Sequence, residues 1–374
     1  MSYLTEEEQK EKVRSEKRKL SRQQIIEHVK KSVMFTVFDV KWVPQTACFV
    51  AIGQYPNNQG AMTVFQLHQG ELRTLQEIKQ PNPLKCMTFG HNVVDGSSSI
   101  GRQLATGDFA GGIQFWDLEH LSKPVVDIKK AHDSIVNGVD GALFSGPPEI
   151  ASCSRDGAVK VWDTRQSNKP VVVLAPVEAS RARDCWTVKL GNSFDADERL
   201  VAAGYDNGDV KLFDLRNQKM IHEFNVSNGV CDLEFDRPDI EMNKLLISSL
   251  EGRLRAYDLR TLHPTLGYAY VEDRVSQGTV WATRALPQNR EVFISGGAGE
   301  LTLCKYSYPP ERSLKDIDGV PKGVAGSVEE LNKVKVGDQP INALDWNRSR
   351  EGLLVCSSFD QSVRVMIVTK LNLV

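Results

Sequence analysis

From Gln24 onward, apolar and polar residues alternate with a period of two, in short runs bounded by Gly, Asp, Asn and Pro. The clearest stretch is Ile150–Asp163. One apolar run ends in Cys153-Ser154, Arg155-Asp156-Gly157 form a turn, and a second run closes on Trp162-Asp163. Asp-Gly between two such runs predicts a hairpin, because Gly accepts the positive φ that the turn requires. The unit recurs as Phe49–Gln66, Leu104–Asp117, Val201–Asp214, Leu246–Asp258, Phe293–Lys305 and Leu354–Ile367. The position of Trp162 is held in order by Phe65, Trp116, Trp162, Phe213, Tyr257, Cys304 and Met366, at spacings of 51, 46, 51, 44, 47 and 62. In units two to six Gly stands five residues earlier, at Gly111, Gly157, Gly208, Gly252 and Gly299. Each hairpin follows another alternating run: Val37–Val43, Leu84–Phe89, Ile135–Ala142, Cys185–Leu190, Gly229–Phe235, Thr279–Leu286 and Ile341–Trp346.

Seven inner strands and seven hairpins, near the roughly 40–45-residue period of four-stranded blades, predict an all-β, seven-bladed WD-repeat β-propeller. Trp162-Asp163 is the dipeptide signature of such a blade. Ile25–Lys30 is placed to add the outer strand of the last blade, closing the ring and removing a sheet edge. Each blade buries surface on its neighbours, so the ring accommodates residues 23–374 as one propeller. Residues 1–22 are dense in Lys, Arg and Glu and lack an apolar stripe; they read as a charged, frayed or solvated extension. The 62-residue spacing marks an insertion in blade six, a long loop over 307–330. It precedes an outer strand predicted over Leu331–Val336 and lies on the face away from the Asp-Gly turns. An unstructured spacer and a binding loop both fit it.

Charge is balanced, 46 basic against 48 acidic residues, which gives no electrostatic case for nucleic acid or an anionic membrane. No apolar run has bilayer length, and the charged start does not resemble a signal peptide. The seven cysteines are scattered without C-x-x-C, which predicts buried free thiols in a reducing cytosol. The seven histidines form neither H-x-H nor H-E-x-x-H, and neither a phosphate-binding loop nor a G-x-S-x-G elbow occurs. Gly296-Gly297-Ala298-Gly299 falls where other units turn. Neither metal, cofactor nor catalytic set is therefore expected. His132 precedes an inner strand and, with Asp156, Trp162 and either Ser152 or Ser154, makes a polar tetrad. Such a network satisfies buried polar groups and pins the blade; a general-base role for His132 and Asp156 ranks second.

A binding surface has better support. The residue before each turn acid and the first residue of each inner strand should both reach the upper face, near the mouth of the central channel. The first class reads Phe109, Arg155, Asp206, Leu250 and Phe359; the second reads Phe38, Lys85, Asn137, Trp186, Cys231, Trp281 and Asn342. Of these, Phe38, Phe109, Arg155, Trp186, Leu250, Trp281 and Phe359 are the candidate protein-binding residues. Large apolar side chains there are costly in water unless they serve contact. The competing reading is that the tryptophans only pack over neighbouring blades. Three blades also end in Asp-x-Arg: Asp163 with Arg165, Asp214 with Arg216, and Asp258 with Arg260. Trp162–Arg165 resembles the box by which some propellers dock onto the adaptor of a cullin ubiquitin ligase, which makes a ligase substrate receptor the alternative function. Structurally, the Arg can instead pair with the preceding acid.

The strings TVFDVKWVP (36–44), LATGDFAGG (104–112), SRDGAVKVWDTRQ (154–166), RDCWTV (183–188), AGYDNGDVKLFDLRN (203–217), NGVCDLEFDR (228–237), LPQNRE (286–291), GVAGSV (323–328) and CSSFDQSVRVMIVTKLN (356–372) extend beyond generic repeat consensus. They resemble the Monad-type WD-repeat family, counted among the axonemal dynein assembly factors. The resemblance runs from about Gln24 to the C-terminus, and the charged segment 1–22 departs from the compact start of that family. It implies a cytoplasmic, non-enzymatic adaptor, monomeric by itself, for preassembly of dynein heavy chains before transport into cilia or flagella. Its implied partners are a chaperone-associated complex of AAA+ ATPases, a tetratricopeptide-type cochaperone and prefoldin-like proteins.

Overall fold

The structure, a computed structural model, describes residues 22–90, 103–142, 148–166, 169–192, 197–237, 241 and 243–374. All but the last residue of the predicted N-terminal extension lies outside them. Seven four-stranded antiparallel sheets succeed one another as blades. Their inner strands are Thr36–Trp42, Leu84–Thr88, Val136–Gly141, Cys185–Gly191, Val230–Phe235, Ala282–Leu286 and Ile341–Trp346. The residue at the Trp162 position has the same cross-strand relation in every blade. Phe65 lies opposite Phe49, Trp116 opposite Leu104, Trp162 opposite Ile150 and Phe213 opposite Val201. Tyr257 lies opposite Leu245, Cys304 opposite Phe293 and Met366 opposite Leu354. Period-two alternation fixes this register, since a one-residue slip would turn every core side chain outward.

The turn glycines take the predicted left-handed backbone. Gly157 has φ +82, and a Cβ there would approach Arg183 O to 2.9 Å. Blade seven has Gln361 in the equivalent place, at φ 57. Among the described residues, the buried apolar side chains fall into seven clusters, each spanning one seam between neighbouring blades. Blades therefore stabilise one another through inter-blade burial rather than through separate cores. The ring closes on the chain start: Gln24–Ser32 pairs antiparallel with Ser362–Thr369, Gln24 opposite Thr369. All seven cysteines carry free thiols, five of them buried.

The insertion in blade six folds. Ser313–Lys315 pairs with Pro321–Gly323 as a separate hairpin, where sequence alone left a spacer and a binding loop open. The outer strand of blade six runs over Ser327–Lys335, starting four residues ahead of the expected Leu331. Ser327, Glu329 and Glu330 are exposed and Val328 only half-buried, so this stretch carries little of the apolar alternation that announces a strand with one packed face.

Candidate functional site: the upper mouth of the channel

The upper face is the one bearing the turns between second and third strands. At its centre one equivalent position from each of the seven blades converges, within two residues of the start of the inner strand. Phe38, Lys85, Asn137, Trp186, Cys231, Trp281 and Asn342 all line one cavity of about 320 Å³. The class defined before the turn acids does not line it but stacks against its rim. Phe38 packs on Phe109, ring centroids 5.5 Å apart, and Trp281 meets Phe359 edge-on at 6.2 Å. Gly229 lies beneath Trp186 and Leu250: a Cβ there would come within 2.7 Å of the indole and 3.0 Å of Leu250 Cδ1. Each pairing joins one blade to the next, one to two, four to five and six to seven. The tryptophans thus do pack over neighbouring blades, and both remain half-buried with surface facing the mouth. Arg155 stands exposed beside them, its Nε 3.9 Å from Asp184.

Two asparagines brace the mouth. Asn137 donates to Asp184 (2.7 Å) and to Cys185 O (2.8 Å). Asn342 donates to Val37 O at 2.7 Å. Lys85 sits over the Phe38 ring, 5.0 Å from its centroid. Burial holds its ammonium below the usual lysine range, against the opposing pull of Cys86, Asp39 and Asp184.

Beneath the mouth lies a feature that escaped the sequence reading. Three residues after Phe38 and its six equivalents stand Lys41, Thr88, Asp140, Lys189, Glu234, Arg284 and Asp345. Apart from Thr88 these alternate in sign around the ring. Lys189 bridges Asp140 at 3.3 Å and Glu234 at 3.2 Å; Arg284 lies 3.6 Å from Glu234 and also grips Asp232. Burial opposes the charge on Lys189, yet Asp140 and Glu234 outweigh it and raise its pKa. The acids also accept backbone N–H groups of neighbouring blades. Asp140 takes Leu190 N–H at 2.9 Å, and Asp345 takes Trp42 N–H at 2.8 Å. This compensated belt floors the mouth and roofs a second cavity of about 320 Å³ opening below. Aligning the inner strands on Phe38 and its equivalents would have exposed the pattern.

The tetrad residues meet in one directional chain. Trp162 Nε1 donates to Ser152 Oγ (2.8 Å), Ser152 Oγ pairs with His132 Nε2 (2.8 Å), and His132 Nδ1 pairs with Asp156 Oδ2 (3.1 Å). Ser154 is otherwise engaged, donating to Ser134 O at 3.2 Å. Burial works against the Asp156 carboxylate. Hydrogen bonds from His132 and from the Ala158 and Asp133 N–H groups nevertheless hold it well below its ordinary range. His132 is itself buried, so the chain spans the blade interior instead of facing a substrate cleft. Among the described residues, no group of three or more His, Cys, Asp or Glu is arranged to hold a metal ion.

The three Asp-x-Arg ends have local partners. Arg165 forks onto Asp163 (Nε 3.0 Å, Nη2 2.8 Å), and its hydrogen bond holds the carboxyl below the usual range. Arg216 gives its backbone N–H to Asp214 at 2.8 Å. Arg260 reaches Glu241 at 2.6 Å and Asn243 at 3.1 Å. Among the described residues only Arg165 pairs its guanidinium with the preceding acid, as the pairing role expects; the contacts of the other two are a backbone N–H and more distant side chains, and none of this favours ligase docking.

On the lower side, the foot of the insertion is tied to blade five. Arg312 forks onto Asp258 (2.8 and 2.6 Å) and reaches Asn243 Oδ1 at 2.6 Å. Farther out, His263 Nε2 lies 3.0 Å from Asp316, while its Nδ1 accepts the N–H groups of Thr265 and Leu266.

Comparison with known proteins agrees with this architecture. The family model for the WD domain, G-beta repeat, matches residues 123–163, and that for the anaphase-promoting complex subunit 4 WD40 domain matches residues 150–237. The chain is 52% identical to dynein axonemal assembly factor 10 of Xenopus laevis, over 94% of this chain and 98% of that protein. The Homo sapiens protein of that name is 51% identical, over 93% of this chain and 98% of its own length. The Chlamydomonas reinhardtii protein is 50% identical over the same shares, 93% and 98%. By identity sustained over nearly the whole propeller, the chain belongs to the dynein axonemal assembly factor 10 family of WD-repeat proteins.

Proposed function

We propose that this chain is a non-catalytic adaptor in the assembly of axonemal dyneins and that the upper mouth is its principal contact surface. The full-length likeness to dynein axonemal assembly factors from vertebrates and a green alga carries the first part of this reading. The second rests on seven inner-strand residues converging on one cavity with half-exposed tryptophans and phenylalanines about its rim. Such side chains favour protein contact over hydration. In this reading the adaptor works in the cytoplasm with a chaperone-associated complex of AAA+ ATPases, a tetratricopeptide-type cochaperone and prefoldin-like proteins. Dynein heavy chains are its clients, and different faces of the disc serve client and cochaperone.

The test is affinity purification from a ciliated cell expressing the Trp186→Ala, Trp281→Ala double variant in place of the wild type. Recovery of dynein heavy chain or of chaperone subunits should fall while the melting temperature of the purified variant stays near that of the wild type. Undiminished recovery of every partner would place the contact surface elsewhere.

A further inference from the structure

We infer that the upper mouth receives an acidic side chain of an extended partner segment, with Lys85 as the cation that takes its carboxylate. The inference rests on the proposal that this mouth is a contact surface. Lys85 forms no ion pair among the described residues; its recorded contact is the Phe38 ring at 5.0 Å. A half-buried ammonium carries a cost without an anion beside it, and an aromatic face offsets that cost only in part.

The carboxylates that act on Lys85 already have partners. Asp39 lies 3.5 Å from Lys41 and accepts the N–H groups of Val40 (2.9 Å) and Met87 (3.0 Å). Asp184 is held by Asn137 at 2.7 Å and faces Arg155 at 3.9 Å. In the belt below, Asp140 and Glu234 bridge Lys189 and Arg284 and Asp345 takes the Trp42 N–H; among the described residues none of the three pairs with Lys85. The missing negative charge must arrive from above.

Shape selects the class of ligand. A cavity of about 320 Å³ holds one or two side chains. The apolar pairs Phe38–Phe109, Trp281–Phe359 and Trp186–Leu250 extend the surface outward at three separate places on the rim. A segment using them continues on both sides of its acid, so the carboxylate belongs to an internal Asp or Glu with apolar neighbours and not to a chain terminus.

The probes are two fluorescein-labelled peptides with amidated C-termini, Gly-Leu-Glu-Phe-Gly and Gly-Leu-Gln-Phe-Gly, titrated onto the full chain by anisotropy. The Glu peptide should bind about tenfold more tightly, the scale of one charge-assisted hydrogen bond. Lys85→Met should erase that preference and Lys85→Arg should keep it, with melting temperatures confirming that both variants fold. Equal binding of the two peptides, no binding of either at millimolar concentration, or a preference that survives Lys85→Met would each overturn the inference. A Gln peptide with a free C-terminal carboxylate that outcompetes the Glu peptide would overturn the internal-acid assignment. If the peptides fail while the tryptophan variants still lose a partner, the carboxylate assignment falls and the contact surface stands.

Discussion

Arg364, in the third strand of blade seven, reaches Glu27 in the first strand of the chain, Nε to Oε2 3.2 Å. The same guanidinium grips Asp360 at 2.5 Å and Ser362 Oγ at 2.6 Å, and its side chain is only 1% exposed. Lys30 adds a second tie from the closing strand to Asp360, at 3.2 Å. Backbone pairing alone would close the ring. These side chains add a buried, fully partnered charge at the joint between the chain's two ends.

Removing that charge should be expensive. Arg364→Met leaves Glu27 without its cation and Asp360 with Lys30 alone, and should cost near the lower end of the about 3–5 kcal/mol of breaking one side of a buried pair. Glu27→Gln, at a more exposed position, should cost less than about 1 kcal/mol. Urea unfolding of the two variants checks the order. Deleting residues 24–32 should bare the edge of Ser362–Thr369 and drive self-association, read by light scattering. A monodisperse deletion variant would show that the closing strand is dispensable.

The tetrad in blade three predicts a pH dependence. The Asp156 carboxyl is held below its ordinary value in the folded state, so its contribution to stability is complete above the unfolded pKa of about 3.9 and is lost as pH falls below it. Melting temperature should therefore drop more steeply between about pH 5 and pH 3 in the wild type than in Asp156→Asn. His132→Ala leaves Ser152 and Asp156 short of a partner and should cost about 1–3 kcal/mol near neutral pH. Parallel pH profiles for wild type and Asp156→Asn would remove Asp156 from the account.

Where the sequence announced structure, side-chain burial was the reason. Second strands are buried on both faces and third strands at least at alternate positions, and turn glycines are dictated by backbone geometry, so Gly157, Trp162 and their equivalents set the repeat visibly. The mouth was legible from the same register, because Phe38 and its six equivalents occupy one position in every blade. What stayed hidden had weaker local signals. Ser313–Lys315 and Pro321–Gly323 are three-residue strands with almost no buried face, held by Arg312 and Asp258, which lie far apart in sequence. The belt was hidden differently. Lys41 or Glu234 alone reads as an ordinary polar position, and only placing seven inner strands side by side shows alternating charge. Lys85 appeared in that register as one residue among seven; its lack of a counter-ion is a fact of three-dimensional neighbours.

The insertion gives the last prediction. Arg312 holds Asp258, only 2% exposed, through two hydrogen bonds, and it also stacks on Tyr308 at 4.7 Å. Arg312→Ala removes the fork and leaves a buried carboxylate whose remaining recorded partner is the Arg260 N–H at 3.0 Å. The hairpin should then detach at its foot, and trypsin should cut after Lys315 or Lys322 several-fold faster, as mass spectrometry of the digest will show. Lys at this position keeps charge but not the planar fork, so Arg312→Lys should give an intermediate rate. Adding Asp258→Asn to Arg312→Ala removes the stranded charge and should restore much of the global stability without slowing the cuts, because the tether stays absent. Cleavage of Arg312→Ala at the wild-type rate would mean that Gly323, packed against Thr261 and Ala269, and the His263–Asp316 pair hold the hairpin without help from Arg312.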